Sequence, residues 1–340
     1  MIDTIIQGVL SGQRRALARA LTIVENGRAG MDDLLAALYP HTGRAAVIGV
    51  TGAPGSGKSS LVNAMIAAYR GRGQTVGVVA VDPTSPFSGG AILGDRIRMK
   101  QHAGDDGVFI RSMATRGSLG GLSQATRDSI RVLDAAGFDV VLVETVGAGQ
   151  SEVDIVRTAG TTLVVTAPGM GDDVQAIKAG ILEIADVLVV NKADQIGAGQ
   201  AARTLNHMLE LGHPASRLQL VDHHGVMERL PAPHPAPDAD LWLPPVVQTV
   251  ATESRGIVEL LDAIDAHRAY LQSAGIAPHI EATRIQIELV DRLRESLTRR
   301  MIERIDAAEW GALVAAISSR EMSPGQAVQR ALSLYDKSTT

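Results

Sequence analysis

A glycine-rich loop between an apolar run and a helical segment is the feature that most constrains this chain. The apolar run covers residues 45–50, and the loop after it reads GAPGSGKS over residues 52–59. Beyond the loop, apolar residues recur at helical spacing at Leu61, Val62, Met65 and Ile66. Strand, loop and helix in this order match the phosphate-binding pattern G-x-x-x-x-G-K-[ST]. The stretch therefore predicts a polyphosphate site.

The residue types of this loop fit phosphate chemistry. Glycines let the backbone curl so that its N–H groups point at an anion, and the start of the helix adds the positive end of its dipole. Lys58 is expected to reach the β- and γ-phosphates, and the Ser59 hydroxyl to ligate Mg²⁺. The residues predicted to bind the nucleotide here are Gly52, Ala53, Pro54, Gly55, Ser56, Gly57, Lys58, Ser59 and Ser60.

Composition narrows the class of protein. The 340 residues contain no cysteine, which excludes disulfides and thiolate metal sites and fits a reducing compartment. A formal net charge of −5 provides no basic field for nucleic acid or an anionic membrane. The first residues lack the features of a signal peptide, and no segment reaches the ~20 apolar residues of a membrane span. A cytoplasmic protein without nucleic-acid or membrane partners is expected.

Strands alternate with helices from residue 45 to about residue 272, and several strands are continuous apolar runs. Such runs are typical of strands covered on both faces, and the alternation predicts right-handed crossovers. The predicted fold is therefore α/β, a P-loop NTPase with a mainly parallel sheet and helices on both faces. The predicted strands are Ala45–Val50, Val76–Val81, Val108–Arg111, Val140–Glu144, Leu163–Ala167, Val187–Asn191 and Val246–Val250.

Three parts are predicted: an N-terminal helical extension over residues 1–42, a nucleotide-binding α/β domain over residues 43–275 and a C-terminal helical arm over residues 276–340. Within the α/β domain, residues 230–245 are proline-rich and are expected to form a surface loop, with Trp242 as a packed anchor. In the arm, apolar residues step by four. This pattern allows the arm either to fold back on its own domain or to pair with a second subunit. The stepping residues are Ile285, Leu289, Leu293, Leu297, Met301 and Ile305.

The sequence Asn191-Lys192-Ala193-Asp194 follows an apolar strand. A carboxylate at Asp194 can accept hydrogen bonds from the N1–H and the exocyclic amine of guanine, which adenine does not offer in that geometry. Asn191 is expected to bond the base edge and the nearby loop, and the Lys192 stem to cover the ring. After the last strand, the backbone N–H of Ala251 is expected to read the guanine carbonyl. The pattern predicts binding of GTP and GDP.

Carboxylates at further strand ends predict the metal site. Asp82 ends the second strand, Asp95 lies beyond a glycine- and proline-rich segment, and Glu144 ends a strongly apolar strand. With Ser59, these side chains supply the hard oxygen ligands that Mg²⁺ prefers. Glu144 begins an E-x-x-G sequence in which most GTPases have Asp.

Catalytic roles are predicted for Lys58 and for three residues in glycine-rich or helical segments. Gly147 is expected to meet the γ-phosphate through its N–H, and the segment from Gly147 to Gln150 to respond to that phosphate as a switch. Lys178 lies on a predicted helix. It is either a solvated surface lysine or a cation that steadies charge in the transition state.

The chain resembles the methylmalonyl-CoA mutase-associated GTPases, the MeaB/ArgK family. The resemblance rests on VTGAPGSGKSSLVNAM, VDPTSPFSGGAILGDRIRM, RSMATRGSLGGL, VETVGAGQSEVD and PGMGDDVQAIKAGILEIADVLVVNKAD, and it runs through most of the chain. It implies a GTPase that gates cobalamin loading from an adenosyltransferase and that protects and repairs an adenosylcobalamin-dependent acyl-CoA mutase. It also implies a homodimer built through the C-terminal arm. Lys178 matches a lysine assigned to mutase-stimulated hydrolysis, and Asp82, Asp95 and Glu144 match metal-site carboxylates.

Two other functions use the same loop. A small-molecule or protein kinase requires an acceptor pocket and a base near the γ-phosphate, and the guanine-reading motif argues against it. A nickel-delivery GTPase usually carries Cys/His clusters. Here cysteine is absent, and the histidines of interest lie in loop-like sequence at His213, His223, His224 and His234.

Overall fold

The computed structural model describes residues 2–82, 102, 104–114, 124–145, 151–169, 184–211 and 242–337. They fall into two compact units, Met1–Ala277 and Pro278–Thr340. The segment 170–183, which includes the predicted helical position Lys178, the proline-rich loop up to residue 241 and several other predicted site residues lie outside the described residues. None of the helices in the described part combines the length and apolar character needed to cross a bilayer.

Three helices precede the sheet. The helix α1 (Ile2–Leu10) buries Ile5, Ile6 and Val9, and it was not predicted as a separate element. The next helices are α2 (Arg14–Glu25) and α3 (Met31–Leu38), followed by a short 3₁₀ turn, Tyr39–His41. All three helices pack against a later helix, α5 (Gln124–Ala135), as part of the first unit.

Seven parallel strands form the sheet in the described residues, in the order β3-β2-β4-β1-β5-β6-β7. The observed ends differ from the predicted ends by up to three residues. The strands β1 to β4 run further than predicted because their last residues still pair with a neighbouring strand, whereas β5 to β7 end earlier than predicted. The strands are β1 (Ala46–Gly52), β2 (Val76–Asp82), β3 (Val108–Ala114), β4 (Val140–Thr145), β5 (Thr161–Thr166), β6 (Val187–Val190) and β7 (Val246–Gln248).

Helices cover both faces of this sheet, as predicted. One face packs against α4 (Lys58–Gly71) and α8 (Ile257–Ser273), with Ile48, Leu142 and Val189 in that core. The opposite face packs against α5, α6 (Ser151–Thr158) and α7 (Ala198–Leu211). Because both faces are buried, the strands are continuous apolar runs, and polar residues gather at their ends. The predicted α/β fold is confirmed.

The second unit is helical. It contains α9 (Ala277–Arg304), α10 (Ala307–Ser318) and α11 (Pro324–Lys337). The Asp306 side chain caps α10 by accepting a hydrogen bond of 2.7 Å from the Ala308 N–H. A small core lies between the end of α9, α10 and α11, and contains Ile305, Leu313, Ala327 and Ala331.

Candidate nucleotide-binding site

The glycine-rich loop leaves β1 at Gly52 and enters α4 at Lys58. Gly52 has φ +133°, and a Cβ built on it would lie 2.0 Å from the Val165 carbonyl oxygen of β5. Gly55 and Gly57 have φ values of +82° and +90°. These are left-handed conformations that other residues rarely adopt. The loop can therefore curl tightly against β5 only because glycine stands at these positions.

The Lys58 side chain folds back across the loop. It is 7% exposed, and its Nζ donates hydrogen bonds of 2.7 Å to the Gly52 carbonyl and 2.9 Å to the Ala53 carbonyl. The ammonium group is thus held at the loop instead of in open solvent. This geometry fits the predicted role of Lys58 toward the phosphates of a nucleotide.

Ser59 and Glu144 bring two hard oxygen groups together. The Ser59 Oγ donates a hydrogen bond of 2.6 Å to Glu144 Oε1, and Glu144 is 5% exposed. Asp82 is the last residue of the neighbouring strand β2, so it lies at the same carboxyl end of the parallel strands as Glu144. The described residues contain no group of three or more His, Asp or Glu side chains that could by itself hold a metal ion. The donor set nevertheless fits Mg²⁺, which keeps water and phosphate oxygens among its ligands.

Asn191 joins three loops. Its Nδ2 donates to the Ser56 carbonyl at 3.0 Å, and its Oδ1 accepts from the Thr249 hydroxyl at 3.1 Å and from the Ala251 N–H at 3.2 Å. The side chain is 2% exposed. The predicted contact of Asn191 with the nearby loop is therefore present. The Ala251 N–H, predicted to read the guanine carbonyl, points at Asn191 in this structure.

Lys192 and Asp194 belong to the segment that follows β6. Lys192 has φ +56°, an uncommon value for a lysine, and its Nζ donates a hydrogen bond of 2.8 Å to the Gly55 carbonyl. This contact lays the Lys192 stem along the phosphate loop. The Asp194 side chain is exposed, so its carboxylate is accessible to a base. The phosphate loop and the N-K-x-D motif therefore belong to one site.

The two helices that begin at this site are also joined near the end of α4. Arg72 donates hydrogen bonds of 2.8 Å to Asp262 and of 2.8 Å to Asp265 of α8. Burial, and secondarily the charge of Asp265, raise the pKa of the nearby Tyr69 phenol. α4 carries the phosphate loop and α8 follows the loop that contains Ala251. These contacts therefore fix the position of the phosphate loop relative to the loop that contains Ala251.

Four predicted residues, Asp95, Gly147, Gln150 and Lys178, lie outside the described residues. Conversely, sequence reasoning assigned no role to Thr51 and Thr145, which are fully buried and joined at 3.0 Å between their Oγ atoms. Thr249, the partner of Asn191, was also not assigned a role. The signal that could have found them was a hydroxyl residue at the carboxyl end of an otherwise apolar strand.

Fold and site together define a P-loop NTPase of the guanine-nucleotide class. The phosphate loop follows the first strand of a parallel sheet, and Asn191 and Lys192 of the N-K-x-D motif bond to that loop. The model of one family, "Methylmalonyl Co-A mutase-associated GTPase MeaB", matches residues 17–306. The chain belongs to this family, and it is a GTP hydrolase that binds guanine nucleotides.

Individual proteins agree with the family assignment. The chain is 46% identical to a protein of Pyrococcus abyssi whose description is that of a GTPase, over 98% of this chain and 96% of the relative. It is 36% identical to the GTPase ArgK of Escherichia coli, over 89% of this chain and 86% of that protein. A crystal structure described as a LAO/AO transport system kinase superposes with a TM-score of 0.67 at 25% identity, covering 98% of this chain and 97% of the other.

Proposed function

We propose that this GTPase serves an adenosylcobalamin-dependent acyl-CoA mutase, such as methylmalonyl-CoA mutase, and acts as a chaperone that gates cobalamin loading, protection and repair. The observation that carries the proposal is the match to a mutase-associated family over residues 17–306. The partners are the mutase and an adenosyltransferase that supplies its cofactor. The acyl-CoA chemistry stays with the mutase, because the site of the GTPase is built for a nucleotide.

The proposed binding mode assigns each part of the site a task. Residues 52–60 hold the phosphates, Lys58 neutralises the β,γ-oxygens, and Asp194 with Asn191 selects guanine. Ser59, Asp82, Asp95 and Glu144 hold Mg²⁺ directly or through water. When bound, Mg²⁺ supplies positive charge to the phosphate oxygens on which negative charge develops.

Hydrolysis is proposed to be slow until the mutase binds. Gly147 and Gln150 sense the γ-phosphate, and Lys178 stabilises transition-state charge once the partner has placed it. A cation of this kind is worth about 10³–10⁵ in rate where an arginine supplies it. A slow basal rate with a large partner-dependent increase is the signature of a timing GTPase.

Phosphate release from GTP, measured with and without the cognate mutase, tests the proposal. Addition of mutase should raise kcat at least about tenfold, and a Lys178→Ala variant should keep basal turnover while losing most of this increase. Lys337→Ala is the charge control and should be stimulated like the wild type. A rate that does not respond to the mutase would remove the partner from the proposal, and equal stimulation of Lys178→Ala would remove the role of Lys178.

A homodimer is part of the same proposal. α9 carries an apolar stripe that is exposed in the single chain, at Ile285, Leu289, Leu293 and Leu297. An exposed stripe of this length is typical of an interaction surface. We assign it to a second copy of this chain, which is the pairing that the resemblance implies for the arm.

A further inference from the structure

We propose that Thr51 and Thr145 are positioning residues for GTP hydrolysis. Their hydroxyl groups form a buried pair that holds the end of β4, and with it Glu144, in place relative to the phosphate loop. This inference rests on the GTPase activity alone. It does not depend on the mutase.

The two threonines lie side by side on neighbouring parallel strands. Val50 of β1 pairs with Glu144 of β4, so the next residues along the strands, Thr51 and Thr145, are at the same level. The Thr145 hydroxyl donates a hydrogen bond of 3.0 Å to Thr51 Oγ1, and both residues are 0% exposed. Thr51 immediately precedes Gly52, the first residue of the loop.

Strand alternation places Glu144 and Thr145 on opposite faces of the sheet. Glu144 lies on the α4 face, where its carboxylate accepts the hydrogen bond from Ser59. Thr145 lies on the opposite face, where it meets Thr51. The end of β4 is thus bonded to the chain just before the phosphate loop and, independently, just after it. These two bonds bracket the loop.

Packing beside Thr51 reinforces the same arrangement. A Cβ on Gly49 would lie 2.6 Å from Ile155 of α6, so α6 rests directly against the backbone of β1. The Gly160 N–H at the end of α6 also donates a hydrogen bond of 2.7 Å to the Val47 carbonyl. β4 and α6, which precede and follow residues 146–150, are therefore both fastened to the strand that carries the phosphate loop.

Loss of the threonine pair is expected to affect the rate of GTP hydrolysis more than the binding of GTP. The threonine hydroxyls are turned away from Glu144 and Ser59, so their removal leaves the nucleotide-binding groups intact. It frees the end of β4 to shift against the loop. Small displacements of catalytic groups lower the rate steeply even when binding is preserved. Loss of the pair should therefore lower kcat and leave the KM for GTP nearly unchanged.

Basal hydrolysis without any partner protein tests this inference, using Thr51→Val, Thr145→Val and the double variant. Valine keeps the shape of threonine and lacks the hydroxyl. Each single variant should lose roughly tenfold in kcat, with KM changed less than about twofold. The double variant should lose no more than a single one, because one shared bond is broken.

Thr51→Ser and Thr145→Ser, which keep the hydroxyl, should retain kcat near the wild-type value. The Mg²⁺ concentration for half-maximal rate should rise in the valine variants alone.

Thr161→Val is the matched control. Thr161 is 1% exposed, and its hydroxyl bonds His267 Nδ1 at 3.0 Å. It is the first residue of β5, at the amino end of the strands and away from the phosphate loop. It should lose thermal stability to a similar extent and keep kcat. The inference is overturned if the valine variants lose no more activity than this control, if their serine counterparts lose as much, or if the loss lies in KM. If one single valine variant does not fold, the other decides the question. Because the assay contains no mutase, its result does not depend on whether the mutase stimulates hydrolysis.

Discussion

At the scale of single residues, the site depends on positions where only one residue type fits. Gly52 combines φ +133° with a distance of 2.0 Å from an ideal Cβ position to the Val165 carbonyl oxygen. A side chain here would have to push the loop away from β5. Gly71, at the end of α4, has nothing within 4 Å of its Cβ position. The same glycine-to-alanine change therefore has opposite consequences at the two ends of one loop–helix unit.

Gly52→Ala should destabilise the protein by more than about 3 kcal/mol, since backbone strain and a backbone clash add. For a domain of this size, that corresponds to a fall in Tm of about 10 °C. Gly71→Ala should raise or preserve Tm, because alanine favours helix by about 1 kcal/mol. Differential scanning calorimetry measures the Tm of each variant, and a GDP titration measures its affinity for the nucleotide. A Gly52→Ala protein with wild-type Tm and wild-type GDP affinity would show that the phosphate loop does not require the backbone conformation that only glycine adopts at position 52.

Asn191 shows how far sequence reasoning reaches at this scale. Its motif identified the residue and a contact with the nearby loop. Its described partners, Ser56, Thr249 and Ala251, come from two loops far apart in the chain. No periodicity or local pattern reports such a bond, because it depends on how β1, β6 and β7 are ordered in the sheet.

At the scale of elements, an ion pair joins the end of α4 to the start of β3. The Arg70 guanidinium donates to both carboxylate oxygens of Asp105, at 2.9 and 3.0 Å. These bonds, followed by the Gly107 N–H, lower the pKa of the Asp105 carboxyl. Gly107 packs against the guanidinium so closely that its Cβ position lies 2.2 Å from Arg70 Cζ. The pair thus fixes where the edge strand begins.

Because the folded pKa of Asp105 is lowered, its stabilisation is present above the unfolded pKa of about 3.9 and is lost as pH falls through the folded value. Asp105→Asn should therefore lower stability at pH 7 by about 1 kcal/mol or less, since the pair is partly exposed. The difference from wild type should close toward pH 3. Urea unfolding across this range measures it.

Asp106→Asn is the control for that experiment, because it removes the adjacent, exposed carboxylate while leaving the Arg70 pair intact. Its stability should follow the wild type at both pH values. A gap between Asp105→Asn and wild type that stays constant from pH 7 to pH 3 would contradict the assigned electrostatic origin.

At the scale of the whole molecule, the two units use apolar residues differently. The first unit buries its apolar strands between two layers of helices. The second has a small core of its own, while the apolar stripe of α9 is left exposed, with Leu289 at 56% and Leu297 at 57%. Burial of this row against a second copy would remove it from water, which is the physical basis of the proposed dimer.

Leu293→Glu should convert the proposed dimer to a monomer, since a symmetric interface would bury two added carboxylates. The dissociation constant should rise by about 100-fold or more, as measured by sedimentation equilibrium. Thr298→Glu, on another side of α9, should leave the dimer intact. A wild-type chain that sediments as a monomer at micromolar concentration, or a Leu293→Glu chain that remains dimeric, would refute the assignment of the stripe.

The sequence by itself determined the fold class, the phosphate loop and the guanine-reading motif, because each depends on residue types at short, regular spacing. Apolar runs of strand length and glycines at required backbone angles are local properties. The tertiary structure decided the contacts that assemble the site: Ser59 with Glu144, Asn191 with two distant loops, and Thr51 with Thr145. These bonds join residues brought together by strand order, which no local pattern encodes.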